Sequence, residues 1–257
     1  HNDARRQRQM CIRDSSIAYI FEYSPHNKYN IIWFGGLFSD MNGTKAQAVS
    51  EYAKKNKINL CRFDYSGHGK SSKIFEDCNI SQWLNDSLAI IDKICIGPQI
   101  FIGSSMGGWL SLLAALKRQD RVLGIILLAP AVDMTENLMW DNFSKEEKDT
   151  LIKNGYLRRQ NEGYDSSYNI TKQLIKDGRN HLLLNEAIDL KCPIKFIHGM
   201  MDKSVPWELS NAVSDCLESD KIVKVFIKDG EHGLSRKTDL NYLFFSIDEM
   251  ISLTKIT

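Results

Sequence analysis

Short apolar runs alternate along the chain with longer amphipathic stretches. Short runs rich in β-branched residues are typical of buried strands, whereas apolar positions three and four residues apart are typical of helices. The predicted strands cover residues 17–23, 30–34, 59–63, 99–104, 122–128, 194–199 and 222–227. The predicted helices cover residues 44–56, 81–94, 106–118, 207–217 and 241–252. This alternation predicts an α/β fold, with a mostly parallel sheet that helices cover on both faces.

One interval interrupts the alternation. Residues 131–191 are rich in polar and charged side chains, and they contain two predicted helices, 144–154 and 171–177, but no predicted strand. Ligand crevices of open α/β sheets lie at the carboxyl edge of the strands. We therefore expect residues 131–191 to be a helical lid insertion over that edge.

The amino-terminal segment is not expected to belong to the fold. Residues 1–15 are Arg-rich, and they lack the apolar centre that characterises a secretory signal. We interpret this segment as a non-native or disordered leader. The remaining residues, 16–257, are expected to form one domain that includes the insertion.

Composition and charge exclude several classes of partner. The 33 basic and 32 acidic residues give a formal net charge of +1, so no broad basic face is available for nucleic acid. The longest apolar stretch, near residues 124–132, is far shorter than a membrane span. The six cysteines are scattered, without a CxxC pair, and we expect reduced thiols in a cytoplasmic protein with no metal site.

The strongest chemical signal is the string GSSMG at residues 103–107, between an apolar run and a helical stretch. In this context G-x-S-x-G is typical of a nucleophile elbow, a sharp strand-to-helix turn that exposes a serine hydroxyl above the sheet. Glycines on either side of the serine allow neighbouring chains to approach closely. We predict that Ser105 is the nucleophile and that Ser104 is a packing residue.

A serine hydroxyl needs a base, and enzymes with this elbow supply an acid and then a base later in the chain. His232 follows the predicted strand 222–227 and is flanked by glycines nearby, so we predict that it is the base. Asp202 follows the predicted strand 194–199 and is the preferred acid. Asp133, which follows strand 122–128, is the alternative acid that the sequence leaves open.

An oxyanion hole requires two backbone N–H donors. The first predicted donor is Met106, which directly follows the nucleophile, and the second is Leu37, in a loop that begins with two glycines. The D-x-x-G-x-G-x-S turn at residues 64–71 contains His68, and we expect the whole turn to be structural. The side chains predicted to contact substrate are Phe38, Trp109 and Trp140.

From about residue 16 to residue 254, the chain resembles the α/β-hydrolase superfamily. The strings FSDMNGTKA (38–46), CRFDYSGHG (61–69) and ISQWL (80–84) are similar to the family of α/β-hydrolase domain-containing protein 10, a mitochondrial enzyme, and its bacterial relatives. This resemblance implies thioesterase activity on S-palmitoylated protein cysteines and esterase activity on acyl glucuronides. It also implies that Ser105, Asp202 and His232 are the nucleophile, acid and base. The string GGL at 35–37 departs from the family's Pro-Gly-aromatic string, so the acyl pocket should differ in shape.

Together these observations predict a serine hydrolase that cleaves carboxylic esters or thioesters through an acyl-enzyme on Ser105, without a metal or organic cofactor. The expected partner is a small-molecule ester or thioester, or an S-acylated protein. The expected compartment is the cytoplasm, or the mitochondrial matrix in a eukaryote. A peptidase or lipase of the same fold and a non-catalytic binding protein are the alternatives.

Overall fold

A central eight-stranded sheet organises the computed structural model, which describes residues 7–12, 15–25, 27–160 and 167–254. In chain order the strands are β1 (Arg8–Ile12), β2 (Ser15–Glu22), β3 (Asn30–Phe34), β4 (Asn59–Phe63), β5 (Gln99–Ser104), β6 (Val122–Leu128), β7 (Tyr156–Gln160), β8 (Ser167–Thr171), β9 (Ile194–Gly199) and β10 (Ile222–Ile227). The order in the sheet is β1-β2-β4-β3-β5-β6-β9-β10, and β7 and β8 form a separate hairpin. β2 pairs antiparallel with β1 and β4, whereas the other pairs of this sheet are parallel.

Helices cover both faces of the sheet, as the alternating pattern predicted. They are α1 (Thr44–Lys55), α2 (Ile80–Lys93), α3 (Met106–Lys117), α4 (Lys145–Asn154), α5 (Lys172–Gly178), α6 (Glu208–Cys216) and α7 (Lys237–Thr254). Helices α2, α3 and α6 contribute to the core on one face, and α1 and α7 contribute to the core on the other. The α/β class with a mostly parallel sheet is confirmed.

Side chains along the central strands alternate between these two cores, because successive residues of a strand point to opposite faces. In β5, Phe101 belongs to the core under α2 and α3, whereas Ile100 and Ile102 belong to the core under α1 and α7. All three are fully buried. Burial on both faces explains why these strands appear in the sequence as continuous apolar runs.

The interval 131–191 contains the β7–β8 hairpin in addition to α4 and α5, contrary to the prediction that it has no strand. The pairing places Leu157 opposite Ile170, and these two residues are the buried positions of the hairpin. Because the other positions of both strands are partly or fully exposed, the sequence carries only a weak alternation. Residues 161–166, between the strands, lie outside the described residues.

Part of the segment interpreted as a leader also forms a strand. β1 pairs with β2 from Arg8↔Tyr19 to Ile12↔Ser15. This strand was not predicted, because residues 1–15 were interpreted as a leader outside the fold. The strand forms because the edge of β2 offers unpaired N–H and C=O groups to an extended segment of almost any composition. Residues 1–6 and 13–14 lie outside the described residues. Among the helices that the structure describes, none has the length and apolar character needed to cross a membrane.

Candidate active site

Ser105 lies at the sharp turn between β5 and α3. Its backbone has φ 54° and ψ −121°, a conformation that non-glycine residues rarely adopt. The Ser105 N–H donates to the carbonyl of Leu128 at 2.9 Å. The Ser105 carbonyl accepts from the N–H groups of Gly108 at 2.8 Å and Ala131 at 3.0 Å. These bonds hold the strained turn, which leaves the Ser105 side chain partly exposed at the carboxyl edge of the sheet.

The glycines of the motif allow the chain segments around the turn to approach closely. A Cβ atom on Gly103 would lie 2.5 Å from the carbonyl oxygen of Gly107, and a Cβ on Gly107 would lie 2.2 Å from that of Phe34. Both distances are shorter than any normal contact, so neither position accepts a larger residue. Ser104 is buried, in agreement with the packing role predicted for it.

Three side chains from three loops form a continuous chain of hydrogen bonds. Ser105 Oγ lies 3.1 Å from His232 Nε2, and His232 Nδ1 lies 2.7 Å from Asp202 Oδ2. Because a carboxylate only accepts hydrogen bonds, Nδ1 carries the proton, and Nε2 accepts the bond from the Ser105 hydroxyl. The His232 side chain is 32% exposed, whereas the Asp202 side chain is fully buried. This arrangement allows proton transfer from serine to imidazole.

The Asp202 carboxylate has other donors besides His232. Its Oδ1 accepts from the N–H groups of Ser204 at 2.8 Å and Val205 at 2.9 Å, and its Oδ2 lies 3.2 Å from His198 Nε2. Burial raises the pKa of this carboxyl, but the hydrogen bonds from His198, His232 and Val205 outweigh burial and hold the pKa well below its ordinary value. The Asp202 carboxylate is therefore ionised at neutral pH.

His198 is a second imidazole in the site, to which the sequence analysis assigned no role. It is fully buried at the end of β9, and its Nε2 faces both Asp202 Oδ2 and, at 3.1 Å, the carbonyl of Val205. Since both groups are acceptors, Nε2 carries the proton, and Nδ1 accepts from the Ser210 hydroxyl at 2.7 Å. The sequence feature that could have indicated this contact is a lone histidine in the apolar strand IKFIHG, four residues before Asp202.

The structure does not bring the alternative acid, Asp133, to His232. Asp133 is buried, and its carboxylate accepts from the N–H of Leu183 at 2.9 and 3.1 Å and from the N–H of Leu184 at 3.0 Å. Burial raises the pKa of Asp133, and the two N–H bonds only partly offset this effect. Asp133 therefore fastens the end of the insertion to the sheet.

The loop that contains Leu37 lies directly against the elbow. A Cβ atom on Gly36 would lie 3.3 Å from Ser105 Cβ. Met106 is the first residue of α3, so its N–H has no acceptor within the helix. The backbone hydrogen bonds of the described residues include none donated by Leu37 or Met106 outside regular elements. Among the described residues, neither N–H is therefore committed to a backbone acceptor of this kind.

The turn at residues 64–71 supports the neighbouring loops. Asp64 accepts from the N–H of Met41 at 2.6 Å and from the N–H of Lys70 at 2.9 Å. His68 is buried, and its Nδ1 donates to the Ser66 carbonyl at 3.2 Å. Burial lowers the pKa of His68 to about 4, so the ring is neutral at neutral pH. These contacts agree with the structural role expected for the turn.

Phe38 directly follows Leu37 and lies against two other aromatic side chains. It has φ 59° and is 37% exposed. Its ring centroid lies 4.4 Å from that of Phe75 and 4.3 Å from that of Tyr168 in β8. Phe38 therefore connects the region around Ser105 to the hairpin of the insertion.

The other two predicted substrate contacts lie elsewhere. Trp109 is fully buried, and its indole N–H donates to the His181 carbonyl at 3.1 Å, so it packs the core under the insertion. Trp140 is partly exposed, and its ring lies under the Arg179 guanidinium at 4.8 Å. The described contacts bring neither indole to Ser105. Among the described residues, no group of three or more His, Cys, Asp or Glu side chains could hold a metal ion.

Comparisons with known proteins agree with this architecture. The family described as serine aminopeptidase, S33, matches residues 26–239. The mouse mitochondrial palmitoyl-protein thioesterase ABHD10 is 37% identical over 224 residues, which cover 86% of this chain and 74% of the mouse protein. The bovine ABHD10 is 36% identical over 221 residues, which cover 86% of this chain and 72% of the bovine protein. The resemblance to the α/β-hydrolase domain-containing protein 10 family is confirmed.

Solved structures show the same fold. A putative hydrolase from Agrobacterium vitis superposes with a TM-score of 0.91 at 33% identity, covering 96% of this chain and 98% of the other. Mouse α/β-hydrolase domain-containing protein 10 superposes with a TM-score of 0.88 at 32% identity, covering 98% of this chain and all of the other. The predicted α/β-hydrolase fold is confirmed.

Proposed function

Because this chain belongs to the serine aminopeptidase S33 family of α/β-hydrolases, we propose that it cleaves carboxylic esters or thioesters through an acyl-enzyme on Ser105. The observation that carries the proposal is the unbroken series of hydrogen bonds from Ser105 Oγ through His232 to Asp202. A hydroxyl is a weak nucleophile until a base takes its proton, and this series provides the base and fixes its tautomer.

In the acylation step, Ser105 Oγ attacks the acyl carbon while His232 Nε2 takes the hydroxyl proton. The negatively charged Asp202 stabilises the imidazolium that forms. The oxyanion accepts from the N–H groups of Leu37 and Met106, each of which contributes about 2.7–4 kcal/mol of transition-state stabilisation. When the intermediate collapses, the bond from carbon to sulfur or oxygen breaks, and His232 returns its proton to the departing thiol or alcohol.

In the deacylation step, water replaces the first leaving group. His232 takes a proton from the water molecule as the water oxygen attacks the acyl carbon of the Ser105 ester. The second tetrahedral intermediate collapses by breaking the bond to Ser105 Oγ, which recovers its proton from His232. The products are a carboxylic acid and the free enzyme.

The proposed substrates are acyl thioesters, including S-acylated proteins, together with small-molecule esters such as acyl glucuronides. This part of the proposal rests on the relatives, which are described as palmitoyl-protein thioesterases. The exposed ring of Phe38, beside Phe75 and Tyr168, provides an apolar surface next to the oxyanion loop. The bovine and mouse relatives are mitochondrial, and for this chain we propose the mitochondrial matrix in a eukaryotic cell or the cytoplasm in a bacterium.

A fluorophosphonate probe tests the nucleophile, since it phosphonylates activated serines. We expect the wild-type enzyme to be labelled and Ser105→Ala to be unlabelled and inactive on a p-nitrophenyl ester. Ser104→Ala is the matched control, because this adjacent serine is buried and outside the hydrogen-bonded series. Labelling that persists in Ser105→Ala would exclude Ser105 as the nucleophile, and an unlabelled wild type would favour a binding protein.

A substrate panel separates the proposed activity from the other activities of the fold. The panel contains acyl-CoA thioesters, p-nitrophenyl esters, triacylglycerol emulsions and aminoacyl amides at equal concentration. We expect kcat/KM to be highest for the thioesters and the soluble esters. Preference for aminoacyl amides would indicate a peptidase, and preference for emulsions would indicate a lipase.

A further inference from the structure

Lys45 lies in the first turn of α1, yet its side chain reaches the loop that carries the proposed base. Lys45 Nζ donates to the carbonyl oxygen of Gly233 at 2.6 Å, although 188 positions separate the two residues in the sequence. Gly233 directly follows His232. None of the steps described above uses Lys45.

The loop around His232 is anchored at its ends more firmly than at its centre. Before His232, the Gly230 carbonyl accepts from the N–H of Met201 at 2.8 Å. After it, Leu234 is buried in the core under α1 and α7. Between these anchors Gly233 is exposed, and a Cβ atom placed on it would meet a single side-chain atom, at 4.0 Å. Packing therefore does little to fix the peptide next to His232.

The Gly233 carbonyl has two described donors. The Ser235 hydroxyl donates at 2.8 Å from within the same loop, so this bond moves with the loop. Lys45 donates from a different element, a helix that packs against the sheet. A bond from an ammonium group is shorter and stronger than one between neutral groups. The contact with Lys45 can therefore fix the loop relative to the rest of the site.

We propose that Lys45 is a positioning residue, whose ammonium holds the Gly233 carbonyl and thereby keeps the His232 imidazole in line between Asp202 and Ser105. This inference rests on the proposed role of His232 as the base. A displacement of about 1 Å in a reacting group can lower the rate by about a hundredfold. A loop with little packing of its own needs such an external contact to keep the His232 imidazole aligned with Ser105 and Asp202.

The charges around Lys45 determine the pH range in which the contact is strong. Burial lowers the pKa of Lys45 to about 8, against the opposing effects of Asp202 and Asp239. The loop that carries Gly233 also contains the ionisable side chains of Asp229, Glu231, His232 and Arg236, and Arg236 pairs with Asp229 and Asp239. Lys45 is thus mostly charged at neutral pH and loses its proton above about pH 8.

The test compares Lys45→Met and Lys45→Arg with the wild type on p-nitrophenyl butyrate and butyryl-CoA. For Lys45→Met we expect kcat to fall about tenfold, with KM within about twofold, because the imidazole moves while substrate contacts remain. Lys45→Arg should recover most of kcat and should keep its activity above pH 8, where the wild type declines. Lys55→Met is the matched control at the exposed far end of the same helix and should behave as wild type.

Several outcomes would overturn the proposal. One is a kcat for Lys45→Met within about threefold of the wild-type value. Another is a kcat for Lys45→Arg that is no higher than that of Lys45→Met. If Lys45→Met melts well below wild type, the comparison of Lys45→Arg with wild type above pH 8 decides instead, and identical profiles reject the role. Failure of the proposed function would appear differently, as undiminished activity in Ser105→Ala.

Discussion

The loops that follow β6 and β9 each carry an aspartate to the carboxyl edge of the sheet, and the two strands are neighbours. Asp202, in the loop after β9, accepts hydrogen bonds from the imidazoles of His198 and His232. Asp133, in the loop after β6, accepts only from backbone N–H groups of the insertion among its described partners. Aspartates that follow adjacent strands thus bind histidine side chains in one case and the backbone of the insertion in the other.

The pKa values of the two carboxyls differ for the same reason. Burial raises the pKa of both groups. For Asp202, the bonds from two imidazoles and from Val205 outweigh burial, whereas for Asp133 the bonds from Leu184 and Leu183 do not. The direction in which the pKa of a carboxyl shifts at this edge of the sheet therefore depends on which donors the neighbouring segments bring to it.

The segment that reaches Asp133 is fastened at other points too. The Ser81 hydroxyl donates to Asp177 Oδ1 at 2.7 Å, and the Ser81 N–H donates to Asp177 Oδ2 at 2.8 Å. The Trp109 indole N–H donates to the His181 carbonyl a few residues later. Asp133 belongs to this set of contacts, which join the end of the insertion to α2, α3 and the β6 loop.

Exchange of each aspartate for asparagine gives the largest expected difference between the two loops. For Asp202→Asn we expect kcat to fall about 10⁴-fold, because the amide can donate to His232 Nδ1 and favour the tautomer that cannot accept the Ser105 proton. For Asp133→Asn we expect less than about a tenfold change, since an amide oxygen still accepts from the insertion. The measurement is steady-state hydrolysis of a p-nitrophenyl ester.

The circular dichroism spectrum and the KM value provide the controls for this experiment. Both variants should keep the wild-type circular dichroism spectrum, and their KM values should remain within about threefold of wild type, because neither side chain contacts the substrate directly. A larger loss of kcat in Asp133→Asn than in Asp202→Asn would reverse the assignment of the acid.

Removal of the Asp133 carboxylate should affect stability more than chemistry. For Asp133→Ala we expect the free energy of unfolding to fall by about 2–4 kcal/mol, because the N–H groups of Leu183 and Leu184 lose their buried acceptor. Asp149→Ala, at an exposed position of α4 in the same insertion, should change it by less than about 0.5 kcal/mol. Urea unfolding followed by tryptophan fluorescence measures both, and equal stability of the two variants would contradict the structural role of Asp133.

The sequence was sufficient to predict the sheet apart from β1, and it predicted the residues of the series Ser105, His232 and Asp202. The bounds of the strands from β3 to β6, and of β9 and β10, match the predicted ranges. The strands β3 to β6 and β9 are buried on both faces, so each appears as an apolar run. The edge strand β10 is only partly buried, and its β-branched residues are the signal that predicts it. Ser105, Asp202 and His232 could be predicted because each lies in the turn or loop that follows one of these strands.

The features that the sequence did not reveal depend on contacts that leave little pattern along the chain. The contact of His198 with Asp202 requires the loop after β9 to fold back on its own strand. The β7–β8 hairpin buries only Leu157 and Ile170, too few positions to produce a clear pattern. Trp109, predicted to contact substrate, is fully buried in the core, and its indole N–H donates to the His181 carbonyl of the insertion. The choice between Asp202 and Asp133 likewise depended on the path of the insertion.

The pH dependence of stability gives the smallest effect, and its sign should be opposite for the two aspartates. The folded pKa of Asp202 is lowered, so its stabilising contribution is present above the ordinary aspartate pKa of about 3.9 and is lost as the pH falls through the folded value. The folded pKa of Asp133 is raised, so its contribution is present below about pH 3.9 and is lost as the pH rises through the folded value. Between pH 6 and pH 3, the stability of the wild type relative to Asp202→Asn should therefore decrease. The stability of the wild type relative to Asp133→Asn should increase over the same range. Urea unfolding measures both changes, which should be on the order of 1 kcal/mol. Changes of the same sign would contradict the difference between the surroundings of the two carboxylates.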